Sequence, residues 1–251
     1  MPANTGRGRL VLTIDVERDW DGTDTRGIDE ALPWLLERLR HHGATATFFV
    51  VADLTHQVRA VLDPAGPHEV GSHGLTHERL DRIGHDAVRR ELTESKSRLE
   101  QAGYLVEGFR APYFAAPPDL SEMVSEAGYR YDASEGRLWP SIRRQSSEDP
   151  ISPRRVVTST LRDGRTPLSL TWLRMLHPVA IRSLPASGTS VLYLHLHELL
   201  DDTPGWMALA AGLRHVHRRG SGARARSIVD HLLANRRGDV VSCRDALVDA
   251  A

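Results

Sequence analysis

Apolar residues fall into short unbroken runs that alternate with stretches of helical spacing. Leu10-Val11-Leu12-Thr13-Ile14 is apolar and β-branched and ends at Asp15, which predicts a buried strand. From Gly27 to His42, the residues Ile28, Ala31, Leu35, Leu36 and Leu39 recur on one helical face, and Gly43 supplies a stop. The run Ala44–Val51 lacks strict alternation, as a strand covered on both faces does. The same reading predicts a short helix near Leu54–Leu62, a strand at Val70–His73 and a surface helix over Asp86–Gln101. A strand at Glu107–Arg110, a helix from Pro117-Pro118 to Ala127 and a strand at Tyr129–Asp132 follow. Residues 133–153 are polar and turn-rich, the composition of a long loop. Next come a minor strand at Val156–Thr158, an apolar helix over Leu170–Leu184 interrupted near Pro178, and a strong strand at Ser190–Leu196. Trp206–His217 and Ala223–Asn235 read as helices, and Asp239–Val241 as a last strand, with Ser242 as N-cap of a terminal helix.

No repeat and no linker divides the 251 residues, so one domain over 1–251 is expected. Alternating strands and helices imply an α/β fold with a mostly parallel sheet, open or closed into a barrel. A hydrophobic fraction of 40% and a charged fraction of 26% suit a chain able to bury a large core. The net charge of −1 gives no pull toward nucleic acid or anionic membranes, so no nucleic-acid partner is expected. Cys243 is the single cysteine, which excludes a disulfide framework and a cysteine-rich zinc site. Met1–Leu10 lacks the apolar core of a secretion signal, and no run approaches the roughly 20 apolar residues that span a bilayer. A cytoplasmic location is the expectation.

The polar residues with chemical potential sit at the predicted strand ends. Asp15 and Glu17 share a face by period two if the strand continues, which suits a base and a metal ligand or an acid/base pair. A solvated Glu17 and an Asp15 capping a turn would fit the same residues. His73 and His77 lie four apart in Gly71-Ser72-His73-Gly74-Leu75-Thr76-His77 and can converge on one cation if the chain between them turns. Arg110, in Phe109-Arg110-Ala111-Pro112-Tyr113, can grip a carboxylate in a bidentate pair or staple a loop. His195 and His197 share a face at the end of Val191–Glu198, and either could be an acid.

These elements occur in one order, DVE, HGLTH, FRAPYF and LYLHLHE, spanning roughly residues 10 to 200. That order resembles the polysaccharide deacetylase (NodB-homology, carbohydrate esterase 4-like) family. The resemblance implies a distorted (β/α) barrel of about seven strands and a hydrolase acting on C–N bonds other than peptide bonds. It implies a divalent metal held by His73, His77 and an acid, zinc first, with cobalt, nickel or manganese as alternatives. It also implies Asp15 as general base, Arg110 orienting that base, the Tyr113 backbone N–H at the oxyanion and His195 as general acid, with Asp132 tuning that histidine. The family's common pattern has a second aspartate where Val16 stands; Glu17 is then expected as the acidic ligand, with Asp19 the alternative. The DVE form is similar to the subgroup acting on lipid-linked sugars or precursors. The implied substrate is an N-acetyl or N-formyl amino sugar, lipid- or nucleotide-linked, in a biosynthetic sequence. An allantoinase-like cyclic-amide hydrolase and a non-catalytic sugar-binding barrel are the rival readings. Core packing accounts for Leu170–Leu184, so peripheral membrane contact is not strongly indicated, and a solvated helix end accounts for His215, His217, Arg218, Arg219, Arg224 and Arg226.

Overall fold

Strand β1 (Arg9–Val16) is buried along almost its whole length, which is why its sequence carries no polar face. In the computed structural model, which describes residues 8–19, 22–135, 154–161, 163–176, 188–202, 218–236 and 239–248, β1 is paired on both sides and lies next to the last strand of the sheet. After a wide turn at Gly27–Ala31 comes helix α1 (Leu32–His42), whose Pro33 falls in the first turn, where a missing N–H is tolerated. Gly43 ends α1 at φ +62°, donating back to the carbonyls of Arg40 and Leu39. In chain order there follow β2 (Thr47–Val50), α2 (Thr55–Arg59), β3 (Glu69–Ser72), α3 (His85–Gln101), β4 (Val106–Phe109), α4 (Leu120–Glu126), β5 (Tyr131–Asp132) and β6 (Arg154–Arg155). Then come α5 (Leu170–Leu176), β7 (Thr189–His195), α6 (Ala223–Asn235), β8 (Val240–Val241) and α7 (Cys243–Val248).

The strands form one parallel sheet in the order β6-β5-β4-β3-β2-β1-β7, with β8 pairing the start of β1. The sheet curls into a half-barrel, as expected of the resemblance. The predicted strand at Val156–Thr158 is displaced, since the β5 partner is Arg154–Arg155. Past that pair the chain crosses to β7: Ser159 N–H donates to Val191 O (3.0 Å) and Tyr193 N–H to Leu168 O (3.3 Å). The two sheet edges therefore meet through irregular chain. Ser242 caps α7 as expected, its Oγ accepting the Asp245 N–H at 3.1 Å. Most of the predicted loop 133–153, the second half of Leu170–Leu184 with Pro178, and the helix Trp206–His217 with His215 and His217 lie outside the described residues. Among the described residues no helix is long and apolar enough to cross a membrane.

Alternation along the strands sorts side chains into two cores. Leu10, Leu12, Ile14 and Val16 pack with the helices, whereas Val11 joins Phe49, Tyr131, Val191 and Cys243 in a small cluster inside the curl. Large aromatic rings fit there because glycines face them. A Cβ on Gly108 would lie 2.0 Å from the Tyr131 ring, and one on Gly71 2.7 Å from the Phe49 ring. Thr13 and Asp15 follow Val11 on this inner face, so β1 carries its carboxylate from the interior to the rim.

Candidate active site

Asp15 lies directly beside His195 in the β1–β7 register and beside Phe49 in the β1–β2 register. Its carboxylate is 2% exposed and accepts a 2.7 Å hydrogen bond from Arg110 Nη1. Arg110, fully buried, also donates to Thr13 Oγ1 (3.0 Å) and to the Ala133 carbonyl (3.2 Å), and its guanidinium lies 4.2 Å over the Phe49 ring. Burial pushes the Asp15 pKa up, but the charges of Arg110, His73 and His195 outweigh it and hold the group below its ordinary value. The carboxylate is thus kept ionised without solvent.

Glu17, His73 and His77 bring one ligand atom each to within 4.8 Å of one another. His73 Nδ1 donates to the Arg110 carbonyl at 2.8 Å, which leaves Nε2 facing Glu17 Oε2 at 3.8 Å. His77 reaches the same oxygen at 2.5 Å because the loop doubles back, with Gly74 at φ +80° and His77 itself at φ +68°. Glu91 on α3 pins that loop, accepting the N–H groups of Leu75 (2.7 Å) and Thr76 (3.1 Å) and the Thr76 hydroxyl (2.6 Å). Sequence reasoning missed Glu91. Its signal was a carboxylate on the buried stripe of an amphipathic helix.

The three residues fit a divalent cation. His77 Nε2 is a buried nitrogen with no hydrogen bond of acceptable geometry despite its nearness to Glu17, an orphan that a cation would satisfy. Two imidazoles and one carboxylate are also the donor set of borderline metals such as zinc. Burial pushes Glu17 up, and His77, His195 and His73 more than reverse that, so it is ionised. His73 is pushed down to about 4, chiefly by burial, and so stands neutral with a free lone pair for a metal. Asp19, the alternative ligand, is directed elsewhere: its carboxylate accepts the Gly27 N–H at 3.3 Å and occupies the space beside that glycine.

His195 Nε2 lies 3.8 Å from Asp15 and 4.0 Å from Glu17, and the side chain lines a cavity of about 500 Å³ with Asp15, Glu17, His73, His77 and Tyr113. His197 does not line that cavity; its ring stacks on His195 at 5.1 Å. Burial lowers the His195 pKa, but Glu198, Glu17 and Asp15 raise it overall to about 9. Tyr113 and Phe114 follow Pro112 in the left-handed region, at φ +57° and +53°, a rare conformation for such residues. The Tyr113 ring is exposed at the mouth, 4.7 Å from the His77 ring. Phe114 and Tyr193 also line the cavity; Tyr193 was legible in principle, two residues before His195 on the same strand face.

One expected partner is corrected. Asp132 does not meet His195. Its carboxylate accepts the Ser134 N–H at 2.8 Å, and Ser134 Oγ in turn accepts the Ala111 N–H at 2.8 Å, so Asp132 braces the turn after Arg110. The carboxylate beside His195 is Glu198, which the sequence reading did not single out.

A family model described as polysaccharide deacetylase matches residues 3–131, just over half of the chain. That span holds Asp15, Glu17, His73, His77, Arg110 and Tyr113, and excludes His195 and Glu198. Among curated proteins, a peptidoglycan N-acetylglucosamine deacetylase of Listeria monocytogenes is 29% identical over 121 residues, 46% of this chain and 24% of the relative. The match thus spans about a quarter of that relative's length. Among solved structures, a peptidoglycan N-acetylglucosamine deacetylase bound to a hydroxamate-type benzamide aligns with TM-score 0.58 at 18% identity, covering 97% of this chain and 89% of the other. A CE4-family pseudoenzyme from Bacillus anthracis aligns with TM-score 0.55 at 16% identity, covering 96% of this chain and 67% of the other.

Proposed function

The chain belongs to the polysaccharide deacetylase family, and on that premise we propose that it is a metal-dependent hydrolase removing an acetyl or formyl group from the nitrogen of an amino sugar. The observation that carries this is convergence: an Arg110-held carboxylate, a Glu-His-His cluster and a histidine of raised pKa face one cavity. Glu17, His73 and His77 would hold the cation; when bound it would polarise the acyl carbonyl and acidify a water. Asp15, ionised and fixed by Arg110, is the base that takes the proton from the attacking water. The Tyr113 N–H meets the developing oxyanion. His195, held against Glu198 and facing the cavity, delivers a proton to the departing amine, which is otherwise too basic to leave. The rim holds the exposed Tyr113 ring with Arg79 5.7 Å over it, an amphipathic edge suited to a sugar face. The sugar is read as part of a precursor, lipid- or nucleotide-linked.

The test is acetate or formate release by zinc- or cobalt-loaded protein from N-acetylated and N-formylated glucosamine oligomers, free and nucleotide-linked. Chelator should abolish release, and Asp15→Asn should lower turnover about 10²–10⁴-fold with metal retained. Near-full turnover in that variant would refute Asp15 as base. The pseudoenzyme among the structural neighbours favours a second reading, a sugar-binding barrel without turnover. Metal-loaded protein that binds the oligomers and releases nothing would establish it.

A further inference from the structure

The carboxylate of Glu198 is fully buried, three residues past the end of β7, and all its contacts are directional. Oε1 faces His195, 3.2 Å from its backbone N–H and 3.4 Å from its Nδ1. Oε2 accepts from Arg174 Nε and from Thr171 Oγ1, each at 2.8 Å, both on α5. Arg174 is itself fully buried and donates through Nη1 to the Arg219 carbonyl at 2.6 Å, so the carboxylate is anchored from behind. The imidazole is confined on its other sides by the stacked His197 ring, tilted 25°, and by the Tyr193 ring, edge-on at 5.8 Å.

Given the proposed deacylase reaction, on which this rests, we infer that Glu198 is the positioning residue of the acid His195, in the place the sequence assigned to Asp132. Nδ1 lies between two groups of Glu198, the carboxylate Oε1 at 3.4 Å, which only accepts, and the backbone N–H, which donates to the ring; the carboxylate draws the proton onto Nδ1, and Nε2 is the nitrogen that faces Asp15 and Glu17. Glu198 never touches substrate. It sets the tautomer and the ring direction, and α5 holds it there through Arg174 and Thr171. The 3.4 Å separation at rest leaves room to shorten as the imidazole works.

Leaving-group dependence separates this role from a structural one. In zinc-loaded Glu198→Gln, kcat on penta-N-acetylchitopentaose should fall about 10²-fold with KM little changed, because the amine needs a proton to leave. Hydrolysis of 4-nitrophenyl acetate, whose phenolate leaves unprotonated, should stay near the wild-type rate. Equal loss on both substrates, or no loss on either, overturns the inference. Should the lone substitution unfold the protein by stranding Arg174, Glu198→Gln/Arg174→Gln removes the unpaired cation and permits the same comparison. The unmodified zinc-loaded protein gives an independent reading: the ¹⁵N spectrum of His195, assigned by its loss in His195→Gln and recorded above the pH at which the ring becomes neutral, must show the remaining proton on Nδ1. An unprotonated Nδ1 overturns the inference. A wild type that binds zinc and releases no acetate refutes the proposed function and this role with it. An active wild type indifferent to Glu198→Gln refutes this role alone.

Discussion

Replacing Arg110 by methionine probes the pair on which the base depends. Asp15 and Arg110 are 2% and 0% exposed and meet at 2.7 Å, so methionine fills much of the volume but strands a carboxylate away from water. Breaking a buried ion pair from one side costs about 3–5 kcal/mol. The lost bonds to Thr13 and to the Ala133 carbonyl place the effect at the upper end of that range. For a chain of this size the upper end corresponds to a melting temperature lower by about 10–20 °C. The pH dependence follows from the direction of the shift. Asp15 is held below its ordinary pKa, so in the wild type its contribution is present above the unfolded-state value and is lost as pH falls through the native one. Without Arg110 the strongest counterweight to burial is gone, and the destabilisation is largest at neutral pH and shrinks on acidification as the carboxyl takes up a proton. Urea unfolding of the wild type, Arg110→Met, Asp15→Asn and the double variant at two pH values completes the cycle. The double variant should recover at least about 2 kcal/mol relative to the sum of the single losses. A coupling under about 0.5 kcal/mol, or a loss independent of pH, would refute the argument.

Three further outcomes are expected. Glu17→Gln should weaken zinc binding at least as much as loss of an outer-shell partner does, about tenfold, in titration calorimetry, whereas Asp19→Asn should leave affinity unchanged and lower stability through the Gly27 contact; equal weakening by both would contradict the ligand assignment. The Cys243 thiol is buried and pushed up to about 12, so alkylation followed by mass spectrometry should be negligible in the folded protein at about pH 8 and should rise in step with unfolding across a urea series. Gly108→Ala should destabilise by about 3 kcal/mol in denaturant titration, since its Cβ would meet the Tyr131 ring inside the curl; a neutral result would mean that the inner cluster yields easily.

Secondary structure was largely legible because parallel strands covered on both faces read as apolar runs, and helix ends carry their own signals. α6 at Ala223–Asn235 and the Gly43 stop coincide with the expected positions. Short strands were less legible: at Arg154–Arg155 two exposed or half-buried arginines pair with β5, an edge position with no apolar signature. Period two along β1 and β7 put Asp15 and His195 at strand ends, and the four-residue interval put His73 and His77 on one loop. Those are local properties, determined by backbone geometry within a few residues, and one chain's sequence suffices to state them.

Which side chains meet across the barrel is a property of a different kind. Glu17 and Asp19 face different partners because of the turn before α1, where the Gly27 N–H engages Asp19 while Glu17 meets His73 and His77. That Glu198 and not Asp132 lies beside His195 follows from how β7 ends: a tight turn folds Glu198 back beneath His195, and Arg174, from another helix, holds it there. Such pairings depend on the register and curl of strands far apart in the chain. Periodicity tells which way a residue faces, and only the packed fold decides what it faces.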